Sequence, residues 1–427
     1  MLRPKASAIE NVFQPAKEAD TPERFAGRKQ AIIDSYYGLV SSGNNIAIVG
    51  NRGIGKTSLA KQILGISSGS DELLKKVDIY DENDLNFLPI YFACGDNING
   101  YEDILEKLLT IKNCLGEWIY EIPEAKKIIE KYNPKFSIGA ISLTGEKRKE
   151  NSFREAISDH KIDVIFTNVV QLIIEAKIAR GILFVIDEYD QVKDPKGFAS
   201  FLQSSATNIP FAKFVIVGVA HDIHNLMREH ESSDRLFAGS IITLPKMAVG
   251  ELWEIISIAE NSINKYITFD AGAKTELGKL AQGHPYFLHL IGKFALRSAY
   301  HNNRNSITKE DIKTTVRDIA ENALDPTMEH RYRTAVGTSQ QREVVLKSFA
   351  KVQSTDSEVS TTKAYKIALD NGVDNSSQYV GHLTSSLFGG ELIKVRERYY
   401  RFKDSLFVAY INARPSLNSG DREGGEY

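Results

Sequence analysis

The sequence predicts a three-layer α/β domain with a central parallel sheet, then a helical module, then a module of three helices and a hairpin. Three observations predict it. Five short, near-continuously apolar runs between Ile46 and Leu244 alternate with helical periodicity, as strands covered by helices on both faces do. From Val249 onward the apolar spacing is helical and strand-like runs stop until the C-terminal hairpin. Gly50–Thr57 matches the template G-x-x-x-x-G-K-[ST] at every fixed position, between a strand-like run and a helix-like one.

Residues 1–20 read as an irregular arm, ending at Thr21-Pro22-Glu23-Arg24. Helical periodicity starts near Arg28, with Ala31, Ile32, Tyr36 and Leu39, and stops at Ser41-Ser42-Gly43. Ile46–Val49 reads as the first strand and Ser58–Leu64 as the helix after it. Phe87–Ala93, Ile182–Ile186, Phe214–Val217 and Ser240–Leu244 read as strands two to five. The α/β core thus runs over residues 21–248. Its segment 94–181 is longer than one crossover helix needs. It is read as an insertion: a helix, an exposed β-excursion at Phe136–Ile138 and Ile141–Leu143, and a long helix through Ile165 and Val169. The charged tip Gly145–Glu150 is either a solvated turn or a nucleic-acid contact.

Residues 249–335 form the expected all-helical lid, in which Thr308 caps a helix with Asp311 three residues on. Residues 336–414 form the third module. Val344, Val345, Leu346 and Phe349 mark its first helix, and Ser360-Thr361-Thr362 begins the second. Asn375 caps the third, with Val380, Leu383 and Leu387 on one face. Leu392–Phe402 reads as a hairpin, and Phe407–Ile411 as a closing helix. The tail 415–427 has too few apolar residues to fold.

Composition excludes several classes. At 427 residues, 25% charged and 42% hydrophobic, the chain is ordinary for a globular protein of two or three domains. No apolar run approaches the roughly 18 to 20 residues of a membrane span. No apolar segment follows Met1–Lys5, so no secretory signal is expected and a cytoplasmic location is the default. Two cysteines, Cys94 and Cys114, exclude a disulfide framework and a cysteine-rich zinc site. A net charge of −2 confines any DNA-binding surface to a local patch.

The loop Gly50-Asn51-Arg52-Gly53-Ile54-Gly55-Lys56-Thr57 and the following Ser58 predict a site for the phosphates of ATP. Glycines let backbone N–H groups turn inward, and the helix N-terminus adds partial positive charge. Lys56 reaches the β- and γ-phosphates, and the Thr57 hydroxyl ligates Mg²⁺. The third strand ends in Asp187-Glu188. Asp187 is placed to hold Mg²⁺ through its water shell, and Glu188 to act as general base toward a water.

These residues carry a resemblance. The phosphate loop, the Asp-Glu strand, a fourth strand ending in a polar residue and a helical lid resemble AAA+ and STAND ATPases. The nearest branch contains replication initiators of the origin-recognition type. Phe25-Ala26-Gly27-Arg28 is similar to that family's F-x-G-R segment, which packs near the adenine. The resemblance implies a polar sensor at His221, where asparagine is usual; a loop histidine is the other reading. It implies an arginine finger for a neighbouring subunit at Arg235, with Arg228 as rival. Gly283-His284-Pro285 looks like the G-x-P motif of STAND ATPases, implying that His284 faces the nucleotide. The third module resembles the winged helix that follows the lid in this branch.

Within 340–415, eleven Lys and Arg stand against eight Asp and Glu. Lys394, Arg396 and Arg398 alternate along the hairpin and Arg401 follows, a candidate contact for double-stranded DNA. Winged helices also dock proteins, and both readings stand. The functional expectation is an oligomeric, Mg²⁺-dependent ATPase switch that engages DNA or an effector protein in trans. The alternative is a nucleotide-gated DNA-binding or scaffold protein with little turnover.

Overall fold

The structure, a computed structural model, describes residues 3–80, 85–132, 162–219, 226, 237, 239–354, 356 and 358–417. The expected β-excursion, its charged tip, His221, Arg228 and Arg235 lie outside the described residues.

A short helix, α1 (Ala6–Glu10), is followed by α2 (Lys29–Val40), strand β1 (Ile46–Gly50) and α3 (Lys56–Ser67). Next come α4 (Glu72–Lys76), β2 (Phe87–Ala93), α5 (Tyr101–Thr110), α6 (Glu117–Glu121) and α7 (Pro123–Tyr132). After the gap in the described residues, α8 (Ile162–Glu175), β3 (Gly181–Asp187), α9 (Phe198–Asn208), β4 (Ala212–Gly218) and β5 (Ile241–Leu244) complete the core. All five strands pair in parallel, in the order β2-β3-β4-β1-β5. Alternating side chains feed two cores. Ile182, Phe184 and Ile186 pack under α5, α8 and α9, while Leu183 and Val185 join α2 and α3. Both faces are therefore covered at the central strands β1, β3 and β4, which is why these read as continuous apolar runs, while the edge strands β2 and β5 are partly exposed.

Because the sheet is parallel, β1 and β3 end at the same edge. That edge receives both the glycine loop and the acid pair. Ligands of open α/β sheets bind outside these carboxyl ends.

The lid holds α10 (Val249–Ser262), α11 (Ala271–Ala281), α12 (Pro285–His301), α13 (Lys309–Glu321) and α14 (Pro326–Val336). It is not wholly helical: Thr268–Phe269 and Ser306–Ile307 form a short parallel pair. Two residues are too few to show as a strand period; buried Phe269 and Ile307 hold the pair together. Thr308 caps α13, accepting from the Asp311 N–H while Asp311 accepts from the Thr308 N–H.

The third module contains α15 (Gln340–Gln353), α16 (Thr361–Asp370), α17 (Ser376–Thr384) and a hairpin of β6 (Leu392–Arg396) and β7 (Tyr399–Phe402). It closes with α18 (Ser405–Ala413). Val359–Ser360 adds a third antiparallel strand beside β7. Leu387 departs from the expected buried face: it lies in a 3₁₀ turn, 77% exposed, because α17 has already ended. Helix α14 crosses the expected boundary at residue 335 and buries Tyr332 and Glu329 against α15 and α18. There Glu329 accepts from Arg414 at 2.7 and 2.8 Å and from the Tyr410 hydroxyl at 2.6 Å. Lid and third module share one hydrophobic core.

The arm is more ordered than its composition predicts. Phe13 is fully buried, edge-on to Phe269 and His289, and Arg297 binds the Glu10 carboxylate.

One buried charge makes a testable feature of the core. Lys213, at the start of β4, donates to the carbonyls of Gly38 and Ser41, and burial pushes its pKa down to about 8. An unfolded lysine keeps its proton to about 10.4. Between those values the unfolded chain binds more protons, so stability rises with pH. Urea midpoints measured from pH 8 to 10 are expected to climb more steeply in wild type than in Lys213→Met. Parallel slopes would refute the assignment.

Candidate active site

The loop that leaves β1 turns twice through left-handed backbone, at Gly53 (φ +68°) and Gly55 (φ +100°). Such angles suit glycine alone without cost. Nothing lies within 4 Å of where a Gly55 side chain would start. Gly53 is tighter: a Cβ there would stand 3.3 Å from both Leu406 of α18 and Tyr286 of α12. Ile54 is buried beneath the loop and anchors it. Lys56 opens α3 and donates to the Gly50 and Asn51 carbonyls at 3.0 and 3.1 Å. Its ammonium thus spans the loop mouth. Desolvation lowers its pKa, opposed by the Asp190 and Asp187 carboxylates.

Asp187 is buried at the end of β3. One carboxylate oxygen accepts from the Glu188 N–H at 2.7 Å, the other from the Tyr91 hydroxyl at 3.0 Å. Burial and the neighbouring Asp187 carboxylate hold the Tyr91 hydroxyl protonated, raising its pKa. The Lys61 ammonium sits 3.1 Å above the Tyr91 ring. Glu188 itself is exposed and adopts left-handed backbone at φ 54°, an uncommon state for a non-glycine residue. Its carboxyl pKa is raised by desolvation first, then by Asp187 and Asp190. Arg52 approaches Asp190 at 3.6 Å.

One cavity of about 390 Å³ collects these groups. Gly53, Ile54, Gly55, Lys56, Thr57 and Ser58 line it, with Asp187 and Glu188 facing them. Phe25 and Arg28 supply a second wall, and Pro285 with Tyr286 a third from the lid. Three predicted loop residues, Gly50, Asn51 and Arg52, do not line it, nor does Gly27. His284 does not either, contrary to its expected role. It is fully buried, neither ring nitrogen has a hydrogen-bond partner among the described residues, and burial pushes its pKa down to about 4. The residue is held locally: Pro285 starts α12, and the preceding Gly283 is pinned against Lys246–Met247, where Met247 N–H binds the Gly283 carbonyl.

Arg28 borders the cavity but uses its guanidinium elsewhere. It donates to the carbonyls of Ile54 at 2.9 Å and Pro245 at 2.7 Å. Its own N–H donates to Glu251 of α10, and the Gly27 N–H donates to Glu254.

Sequence reasoning missed three contributors. Gln14–Ala19 of the arm form one side of the cavity, tied to α3 by Ala19 N–H on Ser58 Oγ and Gln62 on the Ala19 carbonyl. Tyr91 also lines it, as does His289, whose Nδ1 accepts from the Gln14 N–H. Burial pushes the His289 pKa to about 4. Its place, four residues after Pro285 and so on the same helix face, was a signal that could have found it. For the arm, a single buried-type aromatic, Phe13, was the only one.

The hairpin residues do not form one surface. Arg398 sits in the two-residue turn at φ 63°. Arg396 binds Glu358 at 2.8 Å and stacks on Tyr399. Lys394 faces across to Tyr400, whereas Arg401 faces across to Ile393 and so leaves by the opposite face.

The donor set fits a magnesium nucleotide. Open left-handed glycines, the N-terminus of a 12-residue helix, Lys56, the Thr57 hydroxyl and a buried Asp187 surround one cavity. Among the described residues no group of three or more His, Cys, Asp and Glu side chains is placed to hold a metal, so any Mg²⁺ here would rest on Thr57, Asp187 and the phosphates. No helix among them is long and apolar enough to cross a membrane.

No family model matches this chain, and no curated protein does. Among solved structures it is similar to Cdc6p from Pyrobaculum aerophilum, at 14% identity and TM-score 0.46, covering 94% of this chain and 96% of that one. It is similar to the ORC2 protein of Aeropyrum pernix with ADPNP and ADP, at 16% identity and TM-score 0.48 over 94% and 96%. A Walker-type ATPase of Pyrococcus abyssi, PABY2304, gives 13% identity and TM-score 0.48 over 94% and 99%.

Gly53→Ala tests the loop. The left-handed backbone costs a non-glycine residue roughly 1–2 kcal/mol, and the added methyl presses on Leu406 and Tyr286. A lower urea midpoint and weaker binding of fluorescent ADP are expected; unchanged values for both would refute the constraint.

Proposed function

We propose that this chain is a Mg²⁺-dependent ATPase of the AAA+/STAND kind that works as a nucleotide-driven switch. The observation that carries the reading is convergence: residues 130 positions apart, Thr57 and Asp187, line one cavity with Lys56 and Glu188, closed by lid residues Pro285 and Tyr286. Lys56 and the loop N–H groups bind and orient the phosphates. Thr57 and Asp187 hold Mg²⁺, which neutralises phosphate charge. Tyr91, donating to Asp187, keeps that carboxylate in one rotamer. Glu188 stands beside it, exposed to the cavity, as the base that takes a proton from the attacking water.

The switch half of the proposal is supported by what touches the loop. Gly53 faces α12 of the lid and α18 of the third module, which we read as a winged helix, with too little space between for even a Cβ without close contact. A change in loop shape on nucleotide exchange therefore presses on both. Engagement of DNA or an effector, and assembly of like subunits with Arg235 as finger, are parts of this reading that rest on the resemblance. The ion pairing of Arg396 and the divergent faces of the hairpin favour a role of the module within the chain over a broad duplex-binding face.

Steady-state ATP turnover is the test. Glu188→Gln is expected to lower it by about 10²-fold or more, the usual worth of a positioned base, while ADP still binds. Lys56→Ala is expected to weaken nucleotide binding itself. If Glu188→Gln turns over like wild type, the hydrolytic reading falls and the nucleotide-gated scaffold stands.

A further inference from the structure

A second cleft, of about 940 Å³, opens between the phosphate loop and the third module. It shares no residue with the first cavity. Arg52 and Lys246 stand on the core side; Arg331, Arg401 and Lys403 stand on the other, with Asp356 and Asp404. The two acids are engaged. Asp404 pairs with Arg331 at 2.8 Å, and Asp356 with Lys363 at 2.7 Å. Lys246, Arg401 and Lys403 have no ion pair among the described residues, and Arg52 reaches Asp190 only at 3.6 Å.

Like charges on facing walls repel, and a multivalent anion between them turns that repulsion into attraction. The volume is at the upper end of the roughly 300–1,000 Å³ typical of small-ligand sites, which favour domain interfaces. Among the described residues its one aromatic, Phe402, is buried. The lining guanidinium and ammonium groups are the ones that bind phosphate. Arg401 points away from the face that carries Lys394, so the cleft does not continue a duplex-tracking surface.

The geometry points to a second anion site here, for a compact small molecule bearing several phosphates, which staples the third module against the phosphate loop. It goes beyond the ATPase reading and does not require hydrolysis. Partial desolvation already lowers the Lys246 pKa, so an anion beside it restores a favourable charge.

The probe is inorganic triphosphate, titrated calorimetrically into the full chain saturated with Mg-ADP. One further, salt-sensitive site is expected. Arg401→Glu combined with Lys403→Glu should weaken it by about tenfold or more, the worth of one charged hydrogen bond. Affinity for fluorescent ADP should stay unchanged. Arg401→Gln with Lys403→Gln, a milder pair for folding, should weaken it less. The proposal is overturned if ADP abolishes all triphosphate binding, or if both double variants bind like wild type. It is equally overturned if these residues bind a single-stranded oligonucleotide and not triphosphate. Failure of wild type to bind fluorescent ADP would instead sink the ATPase reading, and the triphosphate titration would still decide this one.

Discussion

The buried guanidinium of Arg28 is the constraint on which the site depends. It joins the phosphate loop at Ile54 to the exit of β5 at Pro245, and the backbone N–H of the same residue adds the lid through Glu251. A charge this deep is tolerated only when its donors are used, and each contact here is charge-assisted or made to a carbonyl that would otherwise be orphaned. Desolvation lowers its pKa while Glu251 holds it up. Gly27 fits the same joint. Its φ is +62°, and a Cβ there would fall 2.6 Å from the Glu251 carboxylate. The segment Phe25–Arg28 is thus a clamp that fixes lid to loop, and only secondarily a wall of the nucleotide cavity.

From the loop, a path of named residues leads onward. Gly53 faces Tyr286, which would stand 3.3 Å from any Cβ there; the Tyr286 hydroxyl donates to Asp325 at 3.0 Å, and Asp325 caps α14. Helix α14 then enters the third module through Glu329, which binds Arg414 and Tyr410. Removing one partner of so buried a pair leaves an uncompensated charge, at a cost of about 3–5 kcal/mol. Such a joint transmits displacement as a rigid element does, because its packed groups have few intermediate arrangements.

Much of this was legible in the sequence, and the rest failed for identifiable reasons. Strand β3 contains the apolar run Ile182–Ile186 whole, because a strand buried along its full length leaves an unbroken signal. The loop and Asp187-Glu188 were legible because their chemistry requires fixed residue types at fixed places. His284 misled: a glycine-histidine-proline run marks a helix start, but the run does not say which way the histidine turns. The alternation of Lys394, Arg396 and Arg398 misled similarly, since a two-residue turn puts Arg398 off the strand. The arm was illegible for a different reason. Its order comes from Phe13 filling space beside Gly292, a contact 279 positions away that no local pattern records.

The partition of the cores gives the final step. The two faces of the parallel sheet have their own hydrophobic clusters, while the lid and third module pool theirs, together with Ile9 and Phe13 of the arm. Apolar burial resists separation in proportion to area, so lid, third module and arm behave as one body and the sheet domain as another. What crosses between them is local: the polar Arg28 clamp, the strap of Gln14–Ala19 tied to α3, and the close approach of Gly53 to Leu406. All three border the nucleotide cavity, and the basic cleft likewise has core residues on one wall and third-module residues on the other. Relative motion of the two bodies must therefore open or close both.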